Sequence, residues 1–372
     1  MMGLYALPDH EVMENLLPSI GSRRLSVDDA VERLSRRPGL TPVAINPQGG
    51  GTVYFADIGD TPLLEWKHIY TIERLARENA ISEEFSTDLS VLDREEPVSD
   101  GISPHGLIFH VSRCGSTLFT KALANSPRNL TINQGGPLQE GFWAAITDHW
   151  HDAPEASPRK LRMLRNLVLL LSRRRRPEYQ RSFIKFISWN VIYLDFIHCA
   201  FPTARILYLY RDPVEVIATV LQETTAVLRA KGQPRAASLT GLPPENTAEM
   251  SDVTYLAHCF AHYFRIVLKA ADRCDLHLLD YEQTRDPGRF PGILARGLGL
   301  QTNAEELELM LQQFRYNSKD DTKSTIYGGE ASGLLDILSA GDKQEIMDTC
   351  GTALAKLDRS QRNLYPRRRT ST

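Results

Sequence analysis

Two short stretches of this chain set an arginine, hydroxyl side chains and the start of a helix close together. The first holds His110, Ser112, Arg113, Cys114, Gly115, Ser116 and Thr117. An apolar strand over 107–111 enters a tight turn at Gly115, and Ser116 and Thr117 open a helix. The first N–H groups of a helix have no intrahelical acceptor and sit at the positive end of its dipole. An anion, most often a phosphate, is their natural occupant. Arg113 adds a full positive charge, and the two hydroxyls add donors. The loop is not the G-x-x-x-x-G-K-S/T type, because Ser116 and not lysine follows Gly115. The second stretch is Arg211, Asp212, Pro213, Val214 and Glu215, with Thr219 eight positions after the arginine. Asp212 suits a helix cap, Pro213 the first helical position, and Glu215 the far side of a capping box. None of these roles explains Arg211, since a cation at a helix start opposes the dipole unless an anion sits there too. Thr219 lies about two turns along the same flank. Together the stretches describe a ligand with two separate phosphate groups, each met by one arginine and hydroxyl donors.

Each loop needs a strand to deliver it and a helix to leave it, and the surrounding sequence alternates accordingly. Strands are expected over 107–111, 183–187, 205–210 and 276–279, and helices over 117–124, 161–171, 214–228 and 253–271. Such alternation gives a mostly parallel sheet covered by helices, with ligands at the carboxyl ends of the strands. Ahead of it, a helix capped by Ser26, strands over 43–45 and 52–56 around a glycine-rich turn, and a helix over 69–76 make a smaller α+β region. The polar, proline- and glycine-bearing segment 95–104 marks the boundary. The expected division is an accessory region over 1–100 and a main domain over 101–372.

Composition narrows the function classes. Of 372 residues, 42% are hydrophobic and 24% charged, values of a folded chain and not of a disordered one. No apolar stretch approaches the roughly 20 residues needed to cross a bilayer, and the N-terminus lacks the basic-then-apolar pattern of a signal peptide. A net charge of −3 weighs against a nucleic-acid partner. The five cysteines, Cys114, Cys199, Cys259, Cys274 and Cys350, are far apart and read as reduced thiols of a cytoplasmic protein. Neither they nor the ten histidines have metal-ligand spacing, so no metal site is expected. Arg173 to Arg176, at an expected helix end, and Arg367 to Arg369, in a terminal tail, read as solvated surface. Trp143, Trp150, Trp189 and Tyr193 suit either an acceptor pocket or the core.

The two motifs resemble those of a known family. Residues 112–118 resemble the 5′-phosphosulfate loop of the PAPS-dependent sulfotransferases, with Arg113 at the basic position. Arg211 to Thr219 is similar to their 3′-phosphate motif, with threonine in place of the commoner serine. The form of the first motif is closest to bacterial sulfotransferase-like proteins with an added N-terminal region, and the match is good over 107–221. The resemblance implies a P-loop-type three-layer α/β fold with a central mostly parallel sheet, plus the smaller N-terminal α+β region. It implies PAPS (3′-phosphoadenosine 5′-phosphosulfate) as co-substrate, no metal, and a hydroxyl or amine of a small-molecule or peptide acceptor. Its nucleotide-binding residues would be Arg113, Cys114, Gly115, Ser116, Thr117, Arg211 and Thr219. A charged segment over 314–323, similar to the family's late closing segment, would add Lys319 and Lys323. Arg113 would hold the leaving phosphate, and Lys185, on the strand 183–187, would sit beside the sulfuryl group.

The catalytic base departs from the family pattern. The histidine that cytosolic members carry two residues after the lysine is Ile187 here. The glutamate that bacterial and Golgi-like members carry after the first helix is Gln134, and an amide accepts no proton at neutral pH. Glu140, six residues on, is the candidate base if the Gly135–Gly136 pair lets the chain fold back. His105 and His110 are further candidates, though His110 lies within a strand and reads as a core residue. Three functions stay open: an active sulfotransferase with a relocated base, a PAPS- or PAP-binding regulatory module that has lost transfer, and another P-loop nucleotide-dependent transferase. The N-terminal region would shape the acceptor site or mediate a homodimer.

Overall fold

The architecture comes from a computed structural model, which describes residues 23–222, 226–318 and 334–366. The chain opens with helix α1 (Val27–Arg36), strands β1 (Leu40–Asn46) and β2 (Thr52–Asp57), helix α2 (His68–Arg77) and strand β3 (Glu84–Asp88). The alternating part follows: β4 (Pro104–His110), α3 (Ser116–Ala124), β5 (Asn129–Asn133), the short helices α4 (Gly136–Gln139) and α5 (Gly141–Ile146), α6 (Pro158–Leu171), β6 (Arg181–Lys185) and α7 (Leu194–Ala200). It continues with β7 (Arg205–Tyr210), α8 (Pro213–Leu221), α9 (Asp252–Ala271), β8 (Leu276–Asp280), α10 (Tyr281–Thr284) and α11 (Ala340–Arg359). The first three strands form an antiparallel sheet, and the other five form a second sheet in the order β5-β6-β4-β7-β8. The paired strands within β5·β6 and within β4·β7·β8 run parallel. The protein is thus an α/β fold with a central parallel sheet and a smaller N-terminal α+β region.

The chain divides into two compact units. One holds the described residues up to His105, with Leu123–Phe186 and Phe196–Thr203. Its antiparallel sheet is closed by Phe55 and Phe85, stacked 5.2 Å apart on neighbouring strands. Helices α4, α5 and α6 lie against β1. That contact is close: a Cβ on Gly136 would come 2.2 Å from the carbonyl oxygen of Val43, and one on Gly141 would come 2.0 Å from that of Ile45. The glycines are there for approach, since no larger residue fits. The other unit holds Gly106–Ala122, Ile187–Asp195 and the described residues from Ala204 onward. Here β7 is buried along almost its whole length, as expected of an inner parallel strand. Helices α9 and α11 pack on each other and on α8. The Tyr210 hydroxyl donates to Asp358 (2.8 Å) and accepts from the Asn363 amide (2.6 Å), so the buried phenol is satisfied.

Several expectations need correction. The helix expected over 214–228 ends at Leu221, and a separate turn of helix follows at Ala226–Arg229. Strands β3 and β5 were not anticipated: β5 reads Asn-Leu-Thr-Ile-Asn, too short and too polar at its ends to signal a strand, yet it is buried throughout. The arginines 173–176 are not solvated helix-end cations. Helix α6 stops at Leu171, and of the four only Arg174 is exposed. Arg173, 2% exposed, makes a bidentate pair with Asp100 and donates to the Arg37 carbonyl. Arg175 is also buried, and burial, aided by the neighbouring Arg173 charge, pulls its pKa down to about 10. Arg367 to Arg369 lie outside the described residues. Trp143, Trp150, Trp189 and Tyr193 are all buried, as core residues are.

Candidate active site

In the second unit, β4 delivers a strained loop. Val111 N–H donates to the Leu209 carbonyl at 3.1 Å, one last bond to β7. The backbone then turns left-handed, with φ of 83° at Ser112, 49° at Arg113 and 77° at Gly115. For non-glycine residues each such conformation costs about 1–2 kcal/mol. It persists only where surrounding structure holds it, a pattern that clusters at ligand-binding sites. Ser112 N–H is held by Nδ1 of His110 at 3.0 Å, which gives the buried His110 the structural place expected of it. Gly115 is required twice over: its φ is left-handed, and a Cβ would come 3.0 Å from Thr284 and 3.4 Å from the Tyr281 ring. Its carbonyl accepts from Phe119 N–H at 3.0 Å and so begins α3. Ser116 and Thr117 form the first turn of that helix, with Thr117 the more exposed. The Cys114 side chain is fully buried, so any ligand contact there belongs to its backbone.

Arg211 reaches this loop from the end of β7. Its Nη1 donates to the Arg113 carbonyl at 3.0 Å, and its Nε donates to Glu215 at 2.5 Å. The guanidinium carbon lies 4.2 Å from the centre of the Tyr281 ring, and Arg285 lies 5.6 Å from the same ring. Stacking on a ring while bonding at the edge suits a planar guanidinium. Asp212 accepts from Val214 N–H at 3.0 Å and caps α8. The expected capping box is not formed, because the Glu215 carboxylate turns to the arginine four residues before it. Thr219, half-buried, donates its hydroxyl to the Glu215 carbonyl at 2.9 Å. Loops from the ends of β4, β7 and β8 therefore meet, bringing Arg113, Gly115, Arg211 and Tyr281 together. Glu215, Tyr281 and Arg285 were missed in the sequence. The i, i+4 spacing of Arg211 and Glu215 was the available signal for one of them.

The remaining expected residues lie in the first unit. Lys185 ends β6, pairs in register with Asn133 and is fully buried. Its carbonyl accepts from Gln134 N–H at 2.8 Å. Gln134 is itself left-handed, with φ of 49°, and its carbonyl accepts from the Gln139 amide at 3.2 Å. Glu140 sits at the joint between α4 and α5 and is buried. Gly136 N–H donates to His68 Nδ1 at 3.4 Å, and Asn133 donates to the Glu65 carbonyl at 3.2 Å. Burial first, then the Arg175 charge, pushes the His68 pKa down to about 3, so its imidazole stays neutral. Gly136 lets α4 approach the Val43 carbonyl of β1, and Gly135 packs against the Leu171 and Ile132 side chains. Lys319 and Lys323 lie outside the described residues. Among the described residues, no group of His, Cys, Asp and Glu could hold a metal ion. Among them, too, no helix is long and apolar enough to cross a membrane.

Residues 107–284 match the model of the sulfotransferase family. Among solved structures the chain is similar to a sulfotransferase domain from the curacin biosynthetic pathway, at 14% identity over 67% of this chain and 97% of that one, with a TM-score of 0.40. It is also similar to a sulfotransferase from Mycobacterium avium, at 14% identity over 87% of this chain and 95% of that one, with a TM-score of 0.42. A sulfotransferase from Mycobacterium tuberculosis H37Rv covers 61% of this chain and 77% of its own, at 14% identity and a TM-score of 0.34. The curated proteins contain no significant match. The strand ends that gather Arg113 and Arg211 thus lie inside the segment that matches the sulfotransferase family model.

Proposed function

We propose that this protein is a PAPS-dependent sulfotransferase acting on a hydroxyl or amine of a small-molecule or peptide acceptor. The observation that supports this reading best is the 3.0 Å bond from Arg211 to the Arg113 carbonyl, which ties two arginine-bearing loops together within the matched segment. In this reading the α3 N-terminus, Ser116, Thr117 and Arg113 hold the 5′-phosphate, with Cys114 and Gly115 contributing backbone. Arg211 and Thr219 hold the 3′-phosphate, and the family resemblance adds Lys319 and Lys323, which lie outside the described residues. Transfer breaks the bond between sulfur and the 5′-phosphate oxygen and forms one from sulfur to the acceptor oxygen or nitrogen. The acceptor proton passes to Glu140, and 3′-phosphoadenosine 5′-phosphate (PAP) leaves. Lys185 offsets charge on the transferring oxygens, the kind of fixed electrostatic stabilisation that most lowers such barriers. Residues 1–100 are assigned the accessory role and 101–372 the transferase domain. The free thiols of all five cysteines fit a cytoplasmic setting.

Calorimetry tests the donor site. PAP is expected to bind more tightly than AMP by roughly 10–150-fold, the worth of one charge-assisted phosphate contact of about 1.5–3 kcal/mol. Equal affinities reject the assignment. Glu140→Gln is expected to abolish transfer while PAP still binds, and normal turnover in that variant removes Glu140 as the base. A second reading, a PAP-binding module without transfer, is favoured by Gln134 in place of the family's glutamate. Tight PAP binding with no transfer across a broad radiolabelled acceptor screen would establish it.

A further inference from the structure

Glu215 has no role in the donor site as proposed, yet it occupies the group on which that site depends. Its carboxylate takes the Nε of Arg211 at 2.5 Å, while Nη1 is spent on the Arg113 carbonyl and the ring of Tyr281 lies against the guanidinium face. The Arg211 side chain is only 7% exposed, whereas that of Glu215 is 39% exposed. A guanidinium buried to that degree is costly without an anion beside it. The partly exposed carboxylate is the partner that can leave toward solvent. The backbone around it is already committed, since the Glu215 carbonyl accepts from the Thr219 hydroxyl. The carboxylate, the guanidinium and that hydroxyl therefore lie along one flank of α8.

We propose that Glu215 is a placeholder anion. It neutralises Arg211 in the empty site, gives way to the nucleotide's 3′-phosphate, and returns to speed release of PAP. The inference rests on the donor-site reading above and adds to it a residue that sets how tightly, and for how long, the 3′-phosphate is held. A phosphate dianion offers more acceptor oxygens and charge than a carboxylate and displaces it. A 3′-hydroxyl carries no charge and leaves the Arg211–Glu215 pair in place. Glu215 therefore opposes binding of nucleotides that carry the 3′-phosphate and is indifferent to those that lack it.

The test compares wild type, Glu215→Gln and Glu215→Asp by calorimetry and stopped-flow release, with PAP and AMP as probes. Glu215→Gln keeps the shape and removes the competing charge. It is expected to tighten PAP by about fivefold, the worth of a partly exposed ion pair, through slower release. AMP affinity should stay as in wild type. Glu215→Asp, too short to reach Nε, should tighten PAP in the same direction. If either variant binds PAP more weakly than wild type, Glu215 orients Arg211 and does not compete for it, and the inference falls. Unchanged PAP affinity in both variants also overturns it. Failure of the underlying reading looks different: wild type itself would then bind PAP and AMP equally.

Discussion

The two units each bury an arginine near a strand or helix end, and the partners of those arginines differ. Arg173 in the first unit is 2% exposed and locked: a bidentate carboxylate from Asp100 and the Arg37 carbonyl fix its fork. Arg211 in the second unit is 7% exposed but bonds at its edge to the more exposed carboxylate of Glu215, with an aromatic ring beneath it. Burial alone does not separate a structural guanidinium from a ligand-binding one. The separation lies in the partner. At Arg173 two carboxylate oxygens and a carbonyl engage all three guanidinium nitrogens. At Arg211 the carboxylate is the more exposed partner and lies beside a strained loop, the arrangement from which exchange with a ligand is proposed.

The largest effect that would sharpen this contrast is expected at Asp100. Asp100→Ala strands the Arg173 charge in the interior and should cost about 3 kcal/mol of stability, visible in the urea midpoint. A midpoint within error of wild type would break the comparison on its structural side. Next comes Arg211→Ala, expected to erase the preference for PAP over AMP, a loss of roughly 1.5–3 kcal/mol of discrimination. Its effect on the urea midpoint should be smaller than that of Asp100→Ala. A retained preference for PAP would mean that the second unit's arginine is structural too. The smallest effect concerns His68, which burial holds neutral in the first unit with a pKa near 3. The unfolded chain gains a proton on this residue below about pH 6.5, while the folded one does not. Stability is therefore full above that pH and is lost as pH falls, by about 1 kcal/mol between pH 6.5 and 5.5. Urea midpoints across this range should fall less steeply in His68→Gln. Equal slopes would show that another group governs the acid limb.

Both arginine-bearing loops could be read from the sequence because each is local. Strand, turn and helix start lie within about ten residues, and glycine, serine, threonine and proline each have a conformational reason to be where they are. The strands β4, β6, β7 and β8 were equally legible as short apolar runs. Strand β5 was not, since burial of its asparagines and threonine depends on neighbours supplied by distant segments. The fate of Glu215 was misread for a related reason. Local rules offered a capping box, but Arg211, held in place by Tyr281 and by the Arg113 carbonyl, is the stronger partner.

What the sequence by itself determined is therefore the set of local commitments: which residues begin helices, where the chain must turn, and that two arginines stand beside helix starts. What only the tertiary structure decided is the company each charge keeps. Asp100 reaches Arg173 across 73 residues, and Arg211 reaches the Arg113 carbonyl across 98. Backbone preferences act over a few residues and leave a trace in composition, whereas the energy of a buried charge is set by whatever anion the fold brings to it.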